Sequence, residues 1–195
     1  MTTIQRFRVV SVLLLFSSMA VPVYLNGPRY LYLYITQWSI ELATIAFLIG
    51  YLSEKYPQLN LSKVASAIFG AALYLAMGTM VGFWFAFARV YFPVISTYWI
   101  VALTWSHIMP QALLVINLRY SEIEIRLWHG LLGAAIATLY LLIDWYRVVI
   151  NSTPTTYEFL IWEGSESMVK STAFVFGSLI VYMLVMWINS RFPAR

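Results

Sequence analysis

The chain has 195 residues, of which 62% are hydrophobic and only 10% are charged. Soluble domains carry roughly 25% charged residues, so the composition excludes an ordinary soluble protein and indicates a single integral-membrane domain over residues 1–195. The net charge of +4 comes from singly scattered basic residues, which argues against a nucleic-acid partner, and the absence of cysteine excludes disulfides and thiolate chemistry.

Apolar stretches long enough to cross a membrane recur along the whole chain. A helix needs about 20 residues to cross a hydrocarbon core of ~30 Å. The stretches are 9–25, 30–52, 64–88, 94–118, 127–150 and 169–188. They predict an all-α bundle of about six transmembrane helices. The first stretch, preceded by Arg6 and Arg8 and ending in small residues, also resembles a signal peptide; if retained, it is an anchoring helix.

The distribution of Lys and Arg predicts the orientation of the bundle. With six spans, these residues are more frequent on the side that holds both termini than on the opposite side. The positive-inside rule therefore places both termini on the cytoplasmic or matrix side. Both the endoplasmic reticulum and the mitochondrial inner membrane fit this prediction, and the organelle stays open.

Small residues spaced four apart predict where helices pack closely. The pairs are Gly78/Gly82 in the third stretch and Gly130/Ala134 and Gly133/Ala137 in the fifth. Lipid gives helices little hydrophobic reason to associate, so small residues promote association through van der Waals contact. We expect these pairs to serve the packing of this fold.

Buried polar side chains concentrate in the second and fourth stretches. Gln37 and Glu41 share one face of the second, and His107 and Gln111 share one face of the fourth, with Ser106 beside the histidine. Hydrocarbon offers polar groups no partners, so each needs one within the protein. We therefore predict a buried polar cluster that joins the second and fourth helices.

Depth in the membrane suggests which residue His107 meets. At about 1.5 Å per residue, Glu41 lies near the level of His107, whereas Thr36 needs about two turns of stagger or a strong tilt to reach it. The sequence thus predicts a hydrogen bond or ion pair between Glu41 and His107.

Several positions resemble the androgen-induced-gene family and the related Rolling-stone-like membrane proteins. They are the segment 26–30 (NGPRY), Thr36, and the segment 105–109 (WSHIM). The resemblance implies an intramembrane hydrolase of fatty acid esters of hydroxy fatty acids, with Thr36 as nucleophile and a histidine as base. His107 matches the first histidine of the family pattern. The second histidine, which is taken as the catalytic base, falls at Pro110, so His107 would have to act in its place.

Three functional classes follow from these observations. The favoured interpretation is a noncatalytic accessory subunit of a larger membrane complex, because little chain lies outside the predicted spans; its partners are membrane lipids and other membrane subunits. The alternative is the lipid-ester hydrolase with Thr36 and His107 as catalytic residues. A transporter or proton relay through Glu41 and His107 is the third. No cofactor and no metal site is predicted.

Overall fold

The computed structural model describes residues 1–157 and 160–192, and helix is the regular structure found in these ranges. Six helical segments are long and apolar enough to cross a membrane. They are Thr3–Tyr24, Ile35–Lys55, Ser62–Phe87, Thr97–Tyr120, Leu127–Ile150 and Gly164–Arg191. The predicted all-α architecture with six spans is confirmed, and it fits an integral membrane protein.

Several spans are divided into shorter helices. In chain order the helices are α1 (Thr3–Asn26), α2 (Tyr30–Leu33), α3 (Ile35–Lys55), α4 (Ser62–Gly82), α5 (Ala88–Tyr91), α6 (Thr97–Ser106), α7 (Met109–Tyr120), α8 (Leu127–Trp145) and α9 (Gly164–Arg191), with a 3₁₀ turn at Pro57–Leu59 and π-helical turns at Phe83–Phe87 and Tyr146–Ile150. A capping box between Thr2 and Gln5 starts α1 before its apolar run, so the helix begins earlier than hydropathy alone predicts.

Helix α4 lies at the centre of the bundle. It packs against α3, α7, α8 and α9, and every residue from 69 to 79 is buried. A helix that is apolar on all sides suits either a protein core or a membrane span, and neighbouring helices enclose α4. Helix α4 is therefore the central element against which α3, α7, α8 and α9 pack.

Glycines of α4 allow α9 to approach. A Cβ atom on Gly78 would overlap the side chain of Ser178, whereas one on Gly82 would make an ordinary contact with Phe174 at 3.7 Å. The absence of a side chain at Gly78 therefore sets the distance between α4 and α9.

Glycines of α8 receive tyrosine rings from two neighbouring helices. A Cβ atom on Gly130 would lie 2.6 Å from the ring of Tyr182, and one on Gly133 would lie 2.7 Å from Cβ of Tyr74. The alanines of the two pairs, Ala134 and Ala137, pack in the same core. The small residues of α8 thus pack within this chain.

Replacing Gly133 by leucine is expected to destabilise the bundle. Because even a Cβ atom would overlap Tyr74, the substitution must displace α8 from α4, at a cost of about 1–3 kcal/mol or more. Thermal unfolding in detergent measures the loss. Ala135→Leu is the matched control, since Ala135 is exposed on the same helix. Equal stability of the two variants would contradict the prediction.

Arg8 ties α1 to the rest of the bundle. Its guanidinium donates to the Gly50 carbonyl at 2.6 Å, to the Glu54 carboxylate at 2.7 Å and to Oδ1 of Asn117 at 2.9 Å, and the residue is only 2% exposed. The sequence indicated a flanking charge before the first span. In the structure Arg8 lies within α1 and joins it to α3 and α7.

Candidate functional site

A break before α3 places Thr36 at the start of that helix. Tyr34 is extended (φ −114°, ψ 128°) and separates α2 from α3, so Thr36 is the second residue of α3. The first turn of a helix has backbone N–H groups without acceptors inside the helix. Thr36 therefore presents its hydroxyl at a helix N-terminus and not from the middle of a continuous span.

A second break places His107 between α6 and α7. His107 (φ −104°, ψ 4°) ends α6, and α7 begins with Met109 followed by Pro110. Proline has no N–H group and is favoured in the first turn of a helix, so it ends one helix and starts the next. His107 consequently lies at an interruption near the middle of the fourth span.

These two breaks bring Thr36 and His107 together. The Thr36 hydroxyl oxygen lies 2.9 Å from Nε2 of His107, and Nδ1 lies 2.7 Å from the Leu103 carbonyl oxygen. A carbonyl oxygen only accepts, so Nδ1 carries the hydrogen and Nε2 accepts from the Thr36 hydroxyl. The imidazole is thus held in the tautomer that a general base requires.

Side chains next to His107 fix the position of its ring. The ring of Phe83 stacks on the imidazole with centroids 3.8 Å apart and planes 15° apart. The Ser106 hydroxyl lies 3.1 Å from Nδ1 and 3.0 Å from the Leu103 carbonyl oxygen. Phe83 belongs to the π-helical turn that ends the third span, and such turns are frequent at functional sites.

The predicted contact between Glu41 and His107 is wrong. His107 is bonded to Thr36, and within the described ranges the Glu41 carboxylate has no hydrogen bond or ion pair. The depth argument assumed two unbroken helices that start at the same level. Because the chain breaks at Tyr34 and again after His107, the levels shift and Thr36 comes within reach.

Of the predicted polar cluster, Ser106 contacts His107, whereas Gln37 and Gln111 do not join it in one hydrogen-bonded cluster. Nε2 of Gln111 donates to the Ala76 carbonyl at 2.6 Å and ties α7 to α4. Gln37 is 2% exposed, lies beside Thr36, and has no hydrogen-bond partner for Oε1 within the described residues. The second and fourth spans are joined through Thr36 instead.

Thr36 and His107 face a cavity of about 190 Å³. Its wall is mainly apolar, and Gln37, Phe87 and Trp99 also contribute to it. An apolar cavity of ~150 Å³ is large enough to hold benzene, so this one can receive part of an acyl chain. A hydroxyl that can act as a nucleophile and an imidazole that can act as a base therefore meet at a cavity that can hold an apolar ligand.

The connection between α8 and α9 contributes to the wall of the cavity. The Asp144 carboxylate, 1% exposed, accepts from the Trp162 indole at 2.8 Å, the Thr156 hydroxyl at 3.0 Å and the Arg147 guanidinium at 3.2 Å. Tyr157, in the same connection, lines the cavity. Asp144 thus holds this connection against the end of α8.

Aromatic residues that the sequence did not single out build much of the site. The backbone N–H of Ile35 donates to the Tyr157 hydroxyl at 3.1 Å, and the Tyr140 hydroxyl donates to the Leu33 carbonyl at 2.6 Å. These bonds hold both sides of the break before α3. In the sequence such aromatic residues are indistinguishable from the interfacial belts of other membrane proteins, so no signal in the sequence identifies them as part of the site.

No known protein family, curated protein or solved structure matches this chain. Within residues 1–157 and 160–192, no three His, Asp or Glu side chains converge as metal ligands would. The chemistry that the site can perform therefore depends on Thr36, His107 and the cavity.

Proposed function

We propose that this protein is an intramembrane hydrolase of lipid esters, with Thr36 as nucleophile and His107 as general base. The observation that carries the proposal is the 2.9 Å hydrogen bond between the Thr36 hydroxyl and Nε2 of His107, whose Nδ1 is committed to the Leu103 carbonyl. A hydroxyl bonded to a base that a third group orients is the arrangement that activates a nucleophile. The resemblance noted above implies the same role for Thr36.

The reaction has two steps. The Thr36 oxygen attacks the ester carbonyl carbon while its proton passes to Nε2 of His107, and the carbonyl π electrons move onto the carbonyl oxygen. When the tetrahedral intermediate collapses, the bond to the alcohol oxygen breaks and that oxygen takes the proton from His107. In the second step water attacks the acyl carbon while its proton passes to His107. The bond to the Thr36 oxygen then breaks, that oxygen takes the proton from His107, and the fatty acid is released.

The cavity supports an ester with long hydrocarbon chains as the substrate. Its wall is mainly apolar, and Lys170, which pairs with Glu166 at 2.6 Å, also lines it. A cationic side chain suits a substrate that carries a free carboxylate besides the ester. These features fit the fatty acid esters of hydroxy fatty acids that the resemblance implies.

Replacement of Thr36 by alanine tests the nucleophile. We expect covalent labelling by an alkyl fluorophosphonate to disappear and ester hydrolysis to fall by about 10³-fold or more, because the attacking oxygen is gone. Thr36→Ser keeps a hydroxyl and is expected to retain labelling. Labelling is measured by intact-protein mass spectrometry.

Thr44→Ala is the matched control for this experiment. Thr44 is also on α3, but its hydroxyl donates to the Ile40 carbonyl at 2.8 Å and does not line the cavity. It should label as the parent does. An unlabelled parent, or a Thr36→Ala variant that labels at the parental rate, would refute the proposed nucleophile.

A further inference from the structure

The first turn of α3 lines the cavity and contains a backbone N–H group without an acceptor among the described residues. Of its first N–H groups, that of Ile35 donates to the Tyr157 hydroxyl at 3.1 Å, and that of Gln37 donates to the Tyr34 carbonyl at 2.9 Å. Within the described residues, the N–H of Thr36 between them has no acceptor. The positive end of the helix dipole adds to this donor.

Beside this donor lies a buried amide whose oxygen has no hydrogen-bond partner among the described residues. Gln37 is 2% exposed and lines the cavity, and Oε1 of its amide accepts no hydrogen bond there. A buried polar group left unpaired costs roughly 1–3 kcal/mol, so such a group at a cavity points to a ligand. Because no donor holds Oε1, rotation of the amide about its terminal bond can exchange Oε1 and Nε2 and so turn the two N–H donors of Nε2 toward a ligand.

We infer that the backbone N–H of Thr36 and the side-chain amide of Gln37 form the oxyanion-binding site of the hydrolase. The inference rests on the proposed function and adds a catalytic residue to it. As the Thr36 oxygen bonds to the carbonyl carbon, the π electrons move to the carbonyl oxygen, and these donors stabilise the resulting negative charge. The N–H of a nucleophilic residue serves the same purpose in serine proteases.

Donors of this kind stabilise the transition state more than the substrate. A neutral ester carbonyl accepts weak hydrogen bonds, whereas the oxyanion accepts strong, charge-assisted ones. Loss of Gln37 should therefore lower kcat and leave KM almost unchanged. A role in folding alone would lower the amount of active protein without weakening the binding of a transition-state analogue.

Gln37→Met tests this inference because methionine has a similar length and no donor. We expect kcat for a fatty acyl ester to fall by about 10²–10³-fold, with KM within about threefold of the parent. The affinity of an alkyl boronic acid, which forms a tetrahedral adduct with Thr36, should fall in parallel. The affinity of a nonhydrolysable ether analogue should not change.

Gln111→Met is the matched control. Gln111 is 4% exposed, but its amide donates to Ala76 and it does not line the cavity, so kcat per folded molecule should stay within about threefold of the parent. If Gln37→Met does not fold, Gln37→Leu is measured in its place.

The outcomes separate this inference from the proposed function. A parent that hydrolyses esters and labels at Thr36, combined with a Gln37 variant of unchanged kcat or unchanged boronate affinity, overturns the oxyanion site alone. A loss confined to KM also overturns it. A parent without labelling or hydrolysis overturns both. Failure of both Gln37 variants to fold, while Gln111→Met folds, assigns Gln37 to stability and likewise overturns the inference.

Discussion

Replacement of His107 by glutamine is expected to lower kcat for ester hydrolysis by about 10²–10⁴-fold with little change in KM. Glutamine can still bond to the Thr36 hydroxyl but cannot take its proton at neutral pH. Initial rates with a fatty acyl ester in detergent micelles measure the effect, and fluorophosphonate labelling should slow in parallel.

Ser106→Ala is the control for His107. The Ser106 hydroxyl lies 3.1 Å from Nδ1, but the Leu103 carbonyl at 2.7 Å already accepts from that nitrogen. We therefore expect a loss of no more than about tenfold, since one neutral hydrogen bond contributes about 1 kcal/mol. A His107→Gln variant that retains a tenth of the parental kcat would show that His107 is not the base.

Replacement of Asp144 by alanine is expected to release the connection between α8 and α9. The indole of Trp162, the hydroxyl of Thr156 and the guanidinium of Arg147 would lose their common acceptor. Removing one partner of a buried ion pair costs about 3–5 kcal/mol, and the lower part of that range applies because Arg147 is partly exposed. Thermal unfolding and hydrogen exchange of residues 151–157 measure the two effects.

Glu124→Ala is the matched control for Asp144, because Glu124 forms an exposed ion pair with Arg126 at 2.9 Å. Exposed pairs contribute about 0–1 kcal/mol, so this variant should unfold near the parental temperature.

Asp144→Ala should also raise KM, since Tyr157 lies in the released connection and lines the cavity. Parental protection of residues 151–157 in the Asp144→Ala variant would contradict the proposed restraint.

The sequence was sufficient to predict the helices because length and apolarity alone determine what can cross a bilayer. It also singled out Thr36 and His107 as chemical groups. It did not predict their contact, because helical periodicity assumes regular backbone. The extended Tyr34 and the break after His107 change the depth of the Thr36 and His107 side chains in the membrane. A count of residues along regular helices does not include this change.

The residues that enclose the site were harder to predict. Aromatic side chains are typical of the interfacial belts of membrane proteins, so the sequence does not set apart Phe83, Tyr140 and Tyr157. Their functions depend on contacts with residues distant in sequence. Asp144 falls within the fifth predicted stretch, and nothing in the sequence pattern indicates its exposure of only 1% or the three side chains that bond to it. Long-range hydrogen bonds of this kind leave no periodic signal in a single sequence.

The buried guanidinium of Arg8 has a consequence for the order in which the protein assembles during synthesis. Its acceptors on Gly50, Glu54 and Asn117 all follow α1 in the chain, and the last of them belongs to the fourth span. Until then the long Arg8 side chain can keep its charge only by reaching the lipid headgroups. We therefore expect the first helix to reach its final depth only after the fourth has been inserted, which would couple membrane insertion to formation of the site.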